Sequence, residues 1–223
     1  MTRPSPRLRA SSVAGWTLVE AAIALALTSA VSGTLVLILK TSGGMAGQTI
    51  RGADLSLRTA RILERITRET LAGSPGSFDP ALDPDLPVFA ADLTLLRVVA
   101  TDDSGAILGS PLHIWTEYED GETDDGTDED GDGLVDECVV RLTIDVGAAG
   151  ERTIVLAWDV AEHLEGEEPN GVDDNANGLV DERGLTFRRV DSGLQVLLTL
   201  ESTTESGVLL QSTGQRTIHM RNE

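Results

Sequence analysis

Gly15-Trp16-Thr17-Leu18-Val19-Glu20, with the apolar run that follows it to Leu39, decides how this chain is read. Residues 16–39 number 24, and a helix needs about 20 apolar residues to cross the hydrocarbon core of a bilayer. Glu20 is the one ionisable side chain in that run. A charge inside a membrane is costly and marks function. Arg3, Arg7 and Arg9 precede the run with no acidic residue among them, which predicts a cytoplasmic N-terminus and an exported remainder. Lys40 closes the span, where its long stem snorkels to the headgroups. The competing reading is an ordinary secretory signal peptide cut near Thr28-Ser29-Ala30. Such a peptide has an apolar core of about 7–15 residues and does not normally carry a glutamate. Here the run continues through Val31 and residues 35–39.

A short basic leader ending in glycine, then an apolar segment with glutamate at its fifth place, resembles the processing site of the type IV prepilin family. That family includes pilins and the pseudopilins of type II secretion. The resemblance covers residues 1–40. It implies cleavage after Gly15 by a prepilin peptidase, methylation of the new N-terminus at Trp16, and a filament role for Glu20, which would neutralise the terminal amine of a neighbouring subunit. It also implies a pilin-like fold in the bacterial inner membrane, with the C-terminal domain periplasmic or extracellular.

Outward from the run, polar residues fall at Arg51, Asp54, Arg58, Arg61, Arg65 and Arg68, in steps of three and four. That spacing puts them on one stripe of a continuing helix. Ile50, Ala53, Leu55, Leu57, Ala60, Ile62, Leu63 and Ile66 fill the other faces. So wide an apolar arc predicts a helix largely buried against a sheet. Ala72-Gly73-Ser74-Pro75 supplies the stop. The pattern then shifts to period two, and predicts strands at 92–100, 111–119, 138–146, 153–160, 185–190, 194–202 and 217–221. Asp103-Ser104-Gly105 and Asp191-Ser192-Gly193 are turn signals between them. One helix followed by strands indicates an α+β domain with an antiparallel sheet. The predicted organisation is a leader at 1–15, a membrane or filament-core helix at 16–40, its amphipathic continuation at 41–73, and an exported β-rich domain at 74–223 with acidic loops at 117–137 and 162–182.

Those loops contain a repeat. Residues 125–137 read Asp-Gly-Thr-Asp-Glu-Asp-Gly-Asp-Gly-Leu-Val-Asp-Glu, and residues 170–182 read Asn-Gly-Val-Asp-Asp-Asn-Ala-Asn-Gly-Leu-Val-Asp-Glu. Seven of the thirteen positions are identical. Oxygen-bearing side chains alternate at Asp128, Asp130, Asp132 and at Asp173, Asn175, Asn177, each set followed by glycine. Alternate oxygens, a glycine turn and a backbone carbonyl at the seventh place are the grammar of a Ca²⁺ loop. Leu134 and Leu179 would offer that carbonyl, Val135 and Val180 would pin each loop to the core, and Asp136, Glu137, Asp181 and Glu182 would close the shell. Oxygen donors without His or Cys select a hard cation, and the reading is one or two Ca²⁺ ions. The loops resemble the Asp-rich calcium loops of EF-hand and dockerin-like proteins. They depart from the EF-hand at its twelfth place, where Val139 and Gly184 stand and no bidentate glutamate is found. The neighbouring stretches 117–124 and 162–168 read as solvated acidic chain.

The chain has 223 residues, a net charge of −20 and 3% aromatic content. Its core must therefore be aliphatic, and no nucleic-acid partner is expected, because such acidity disfavours binding that relies on phosphate neutralisation by Lys and Arg. Loss of the three leader arginines would leave −23. Cys138 is the one cysteine, and it reads as a small apolar residue opening a strand. His113, His163 and His219 share no metal-type spacing, and no nucleophile elbow, phosphate loop, dinucleotide fingerprint or zinc pattern occurs. The sequence reads as a non-enzymatic minor pseudopilin or minor pilin. Its partners would be other pilin subunits, the prepilin peptidase and the inner membrane. The alternative is a single-pass surface calcium-binding or adhesion protein that does not polymerise.

Overall fold

The computed structural model describes residues 17–81, 88–102, 105–190 and 193–219. Gly15 and Trp16, residues 82–87 of the connector, Asp103, Ser104, Asp191, Ser192 and residues 220–221 of the predicted last strand lie outside the described residues. The chain divides into two units, Met1–Gly47 and Gln48–Glu223.

Helix α1 spans Leu18–Thr70. It begins with a reciprocal cap. The Thr17 backbone N–H and hydroxyl each donate to Glu20 Oε2 at 2.9 Å, and the Glu20 N–H donates to Thr17 Oγ1 at 3.3 Å. Thr-x-x-Glu is the capping-box signature, in which two orphan donors of the first turn are satisfied at once. Within Met1–Gly47 the apolar side chains of α1 point outward: Leu18 is 88% and Leu25 74% exposed. By length and composition α1 is apolar enough to cross a membrane.

Within Gln48–Glu223, α1 buries one stripe, Leu55, Thr59, Leu63, Ile66 and Thr70. The steps of four, four, three and four keep these residues on one face. The two threonines are tolerated there because their hydroxyls donate to the Leu55 and Ile66 carbonyls. The expected wide burial is not found: Ile50 is 70% and Leu57 55% exposed. A single sheet surface reaches only one side of a helix, and the opposite apolar flank stays bare. Two of the stripe arginines also turn toward the sheet. Arg51 donates to the Thr203 carbonyl at 2.9 Å, and Arg58 pairs with Asp159 at 2.7 Å. The helix ends where glycine and proline predict, with Gly73 N–H donating to the Thr70 carbonyl and a 3-10 turn at Pro75–Ser77.

The seven strands are β1 (Leu93–Asp102), β2 (Gly105–Tyr118), β3 (Cys138–Ile144), β4 (Arg152–Val160), β5 (Leu185–Val190), β6 (Gly193–Thr203) and β7 (Leu209–His219). They form one antiparallel sheet in the order β1-β2-β3-β4-β6-β5, with β7 on β6. Each expected strand is present. The last is much longer than expected, pairing with β6 from Leu209↔Thr203 to His219↔Gly193. Its polar Gln-Ser-Thr-Gly-Gln centre hides it from pattern reading, because its place is set by β6 and by the helix. Gly214 lies under that helix: a Cβ there would sit 2.7 Å from Leu63 Cδ1 and 2.8 Å from Thr59 Cγ2. The core is aliphatic as composition requires. Leu93, Leu95, Leu112, Ile114, Leu142 and Leu198 are fully buried, and Phe187 is the largest side chain among them. Trp158 is 46% exposed on β4, while Trp115 is half-buried and donates Nε1–H to Thr143 at 3.2 Å.

Gly184 ties β4, β5 and β6 together. Its N–H donates to the Glu162 carbonyl at 2.9 Å, and its carbonyl accepts from Thr199 at 2.8 Å. A Cβ at this position would lie 1.7 Å from the Ala161 carbonyl oxygen. Backbone cannot step aside as a side chain can. Gly184→Ala is therefore expected to destabilise the domain by about 3 kcal/mol or more, at the upper end for overpacking. Urea unfolding of the purified chain, read by its midpoint, checks this.

Candidate metal centre

Both acidic loops are excursions from the sheet closed by the same backbone bonds. Residues 119–137 join β2 to β3, and Glu119 N–H donates to the Glu137 carbonyl at 3.0 Å. Residues 164–182 lie between β4 and β5, and Leu164 N–H donates to the Glu182 carbonyl at 2.9 Å. The correspondence at a 45-residue offset continues inward. Glu122 N–H donates to Glu119 O and Glu167 N–H to Leu164 O. Left-handed backbone recurs at Gly121 and Gly166, Gly126 and Gly171, Gly131 and Ala176, Gly133 and Gly178, and Asp136 and Asp181. The structural repeat is thus 19 residues long, six more than the sequence pattern. Its added part carries Glu122 and Glu167, both buried. The sequence pattern by itself places these two glutamates in solvated flanks. The missed signal was the Gly-Glu pair at 121–122 and again at 166–167.

The expected ligands fall into distinct places. Asp128, Asp130 and Asp132 each bring a carboxylate oxygen within 4.8 Å of the others at the exposed rim. Their other duty is to shape the loop. Asp128 accepts from Gly131 and Gly133 N–H, Asp130 from Asp132, and Asp132 from Leu134. Asp173, Asn175 and Asn177 repeat this scheme toward Asn177, Gly178 and Leu179. Asp136 and Asp181 face their own loop's start, accepting from the Gly126 and Gly171 amides at 2.9 and 3.0 Å. Leu134 and Leu179 are each 3% exposed and anchor the loops, whereas Val135 and Val180 are 47% and 45% exposed. The expectation that the valines pin the loops is therefore corrected. One residue of each Leu-Val pair can face the core, and the tight glycine turn at Gly133 or Gly178 selects the first.

Glu137 and Glu182 lie deepest, at 1% and 0% exposure. One oxygen from each of Glu122, Asp130 and Glu137 lies within 4.8 Å of the other two. Oxygens sharing an ion at 2.3–2.6 Å sit at most about 5 Å apart, so this spacing fits a common divalent cation. Neither Glu137 oxygen has a hydrogen-bond partner among the described residues, nor have Glu122 Oε2 and Glu182 Oε2. A buried carboxylate without donors holds its charge only beside a cation.

Burial first, then the charges of Glu122, Asp132 and Glu119, push the Glu137 carboxyl from 4.5 to about 7, partly offset by the dipole of its own backbone amide. A folded pKa above the unfolded value means that the folded, cation-free chain keeps a proton the unfolded chain has released. Stability without cation is therefore expected to fall as pH rises from about 4.5 to about 7. Saturating Ca²⁺ should flatten that decline, since the ion takes the proton's place. Thermal midpoints across this window, with EDTA and with Ca²⁺, check it.

Cys138 opens β3 inside the core cluster. Burial, with the Glu162 charge adding to it, pushes its thiol up to about 12, which suits an inert packing residue. Compared with protein-family models, with curated proteins and with solved structures, the chain matches none.

Proposed function

We propose that this chain is a non-catalytic minor subunit of a type IV filament: a minor pseudopilin of a type II secretion pseudopilus or a minor type IV pilin, anchored by α1 and carrying Ca²⁺ in its acidic loops. The observation that carries the reading is Glu20, a lone carboxylate in the first turn of an exposed apolar helix long enough to cross a membrane. In the resembling family the peptidase cut falls five residues before this glutamate, at Gly15. After that cut α1 would leave the bilayer to pack among like helices, apolar surroundings in both places, with Glu20 meeting a neighbour's ammonium. The bare flank Ile50, Ala53, Leu57 and Ala60 offers further packing surface beyond the span. The Arg-bearing leader orients the N-terminus to the cytoplasm and the sheet domain to the periplasm or exterior. A charge of −23 after processing favours a minor subunit, because close-packed copies would repel. Oxygen-only donors with this many carboxylates suit Ca²⁺, whereas Mg²⁺ keeps several waters and takes fewer protein ligands.

Mass spectrometry of the chain isolated from its own membranes tests this. The expected N-terminus is N-methylated Trp16, absent when the prepilin peptidase is deleted. An unmethylated terminus elsewhere removes the reading.

The capping box favours a second reading, in which Glu20 only starts the helix of a single-pass, calcium-binding surface protein. That protein would be indifferent to loss of the peptidase.

A further inference from the structure

We propose that the two copies of the repeat are unequal. Residues 119–137 form a divalent-cation site whose ligands are the buried Glu122 and Glu137 and the exposed Asp130. Residues 164–182 close on their own donors and take the ion at least about tenfold more weakly, because ligand charge sets Ca²⁺ affinity. This rests on the cation reading of the loops and adds which glutamates hold the ion and which loop depends on it.

The first loop carries eleven acidic residues and the second seven, neither with Lys or Arg. Position by position, Asp130 and Asp132 face Asn175 and Asn177. The consequence lies in the hydrogen bonds. In the first loop Glu122 Oε1 accepts from Glu129 and Asp130 N–H at 3.2 and 3.1 Å, while its Oε2 and both Glu137 oxygens have no donor among the described residues. In the second loop both oxygens of the matching glutamate are used. Glu167 Oε1 accepts from Asn175 N–H at 2.9 Å and Oε2 from Asp181 N–H at 3.1 Å. The Asn177 amide donates to Glu182 Oε1, leaving one unpartnered oxygen where the first loop has three. An amide donor thus stands in the second loop where the first has only acceptors. Three donorless oxygens on two buried glutamates call for a cation, whereas one does not compel it.

Calorimetric titration of the full-length chain in detergent micelles with CaCl₂ tests this. The wild type should bind in two phases separated by about tenfold or more. Glu137→Gln and Glu122→Gln should each weaken the tighter phase by about tenfold and leave the weaker one in place. Glu182→Gln should leave the tighter phase within about twofold. Glu122→Gln keeps an oxygen to accept both backbone amides, so it tests the site even if Glu137→Gln misfolds, which circular dichroism reads. A tight phase that survives both loop-one variants, or that Glu182→Gln weakens equally, overturns the inequality while leaving calcium binding intact. No heat from the wild type at millimolar Ca²⁺ removes the calcium reading itself, and this inference with it.

Discussion

A Glu20→Gln chain is expected to enter the membrane, to be cut after Gly15, and to be missing from filaments. The substitution is chosen because the structure gives Glu20 a local task as well as a proposed intermolecular one. In the single chain its carboxylate accepts from the Thr17 N–H and hydroxyl. Glutamine serves in a capping box as glutamate does, so helix initiation survives. What disappears is the negative charge, and with it the partner for a neighbour's ammonium. Removing one member of a desolvated ion pair strands the other, and incorporation should drop on the order of a hundredfold or more. Thr17→Ala is the complementary control. It removes the cap hydroxyl, weakens the helix start by about 1 kcal/mol, and should leave incorporation near normal. Immunoblots of sheared filament and membrane fractions read both variants. Wild-type levels of Glu20→Gln in filaments would show that the charge has no role in assembly and would favour the single-pass surface protein.

Stripping divalent cation from the full-length chain in detergent should lower its thermal midpoint by about 5–10 °C and open residues 119–137 to protease. At a free ion concentration one hundred times its dissociation constant, a single site stabilises by about 2.7 kcal/mol, and each kcal/mol moves the midpoint of a domain this size by about 2–4 °C. The loop is the place where that energy acts. Glu122 and Glu137 are buried and part of their oxygen set has no donor among the described residues. The anchor Leu134 and the closing bond from Glu119 to Glu137 hold the same segment against β2 and β3. Loss of the ion should therefore loosen the loop first and the adjoining strands next. An identical midpoint with EDTA and with Ca²⁺ would mean that the loop's own hydrogen bonds suffice.

Much of the architecture was legible beforehand because it is periodic. The apolar run, the glycine-proline stop and the period-two segments located α1 and all seven strands, to the residue for β5 at Leu185–Val190, whereas β2 begins six residues before its predicted start at 111. Periodicity marks only the end of β7, because Leu209–His219 carries mostly polar, exposed residues. Its ladder with β6 places it, and a ladder joins residues that are distant in sequence. The helix is less buried than its apolar arc predicts for a related reason: the arc shows what a helix could bury, not how much surface the sheet offers.

The sequence alone determined the chemistry of the two loops, since alternating oxygens, glycines and a duplicated Leu-Val-Asp-Glu ending are local facts of the chain. It likewise determined the membrane-length helix with its single acid. Only the tertiary structure decided which acids lie inside. Asp136 turns back to its own loop's amides, Leu134 rather than Val135 seeks the core, and the buried Glu122 and Glu137 meet the exposed Asp130. The reason is physical. Loop ends held at neighbouring strands bring residues 122 and 137 together, and burial then makes their unpartnered oxygens costly, a cost that spacing along a chain does not express.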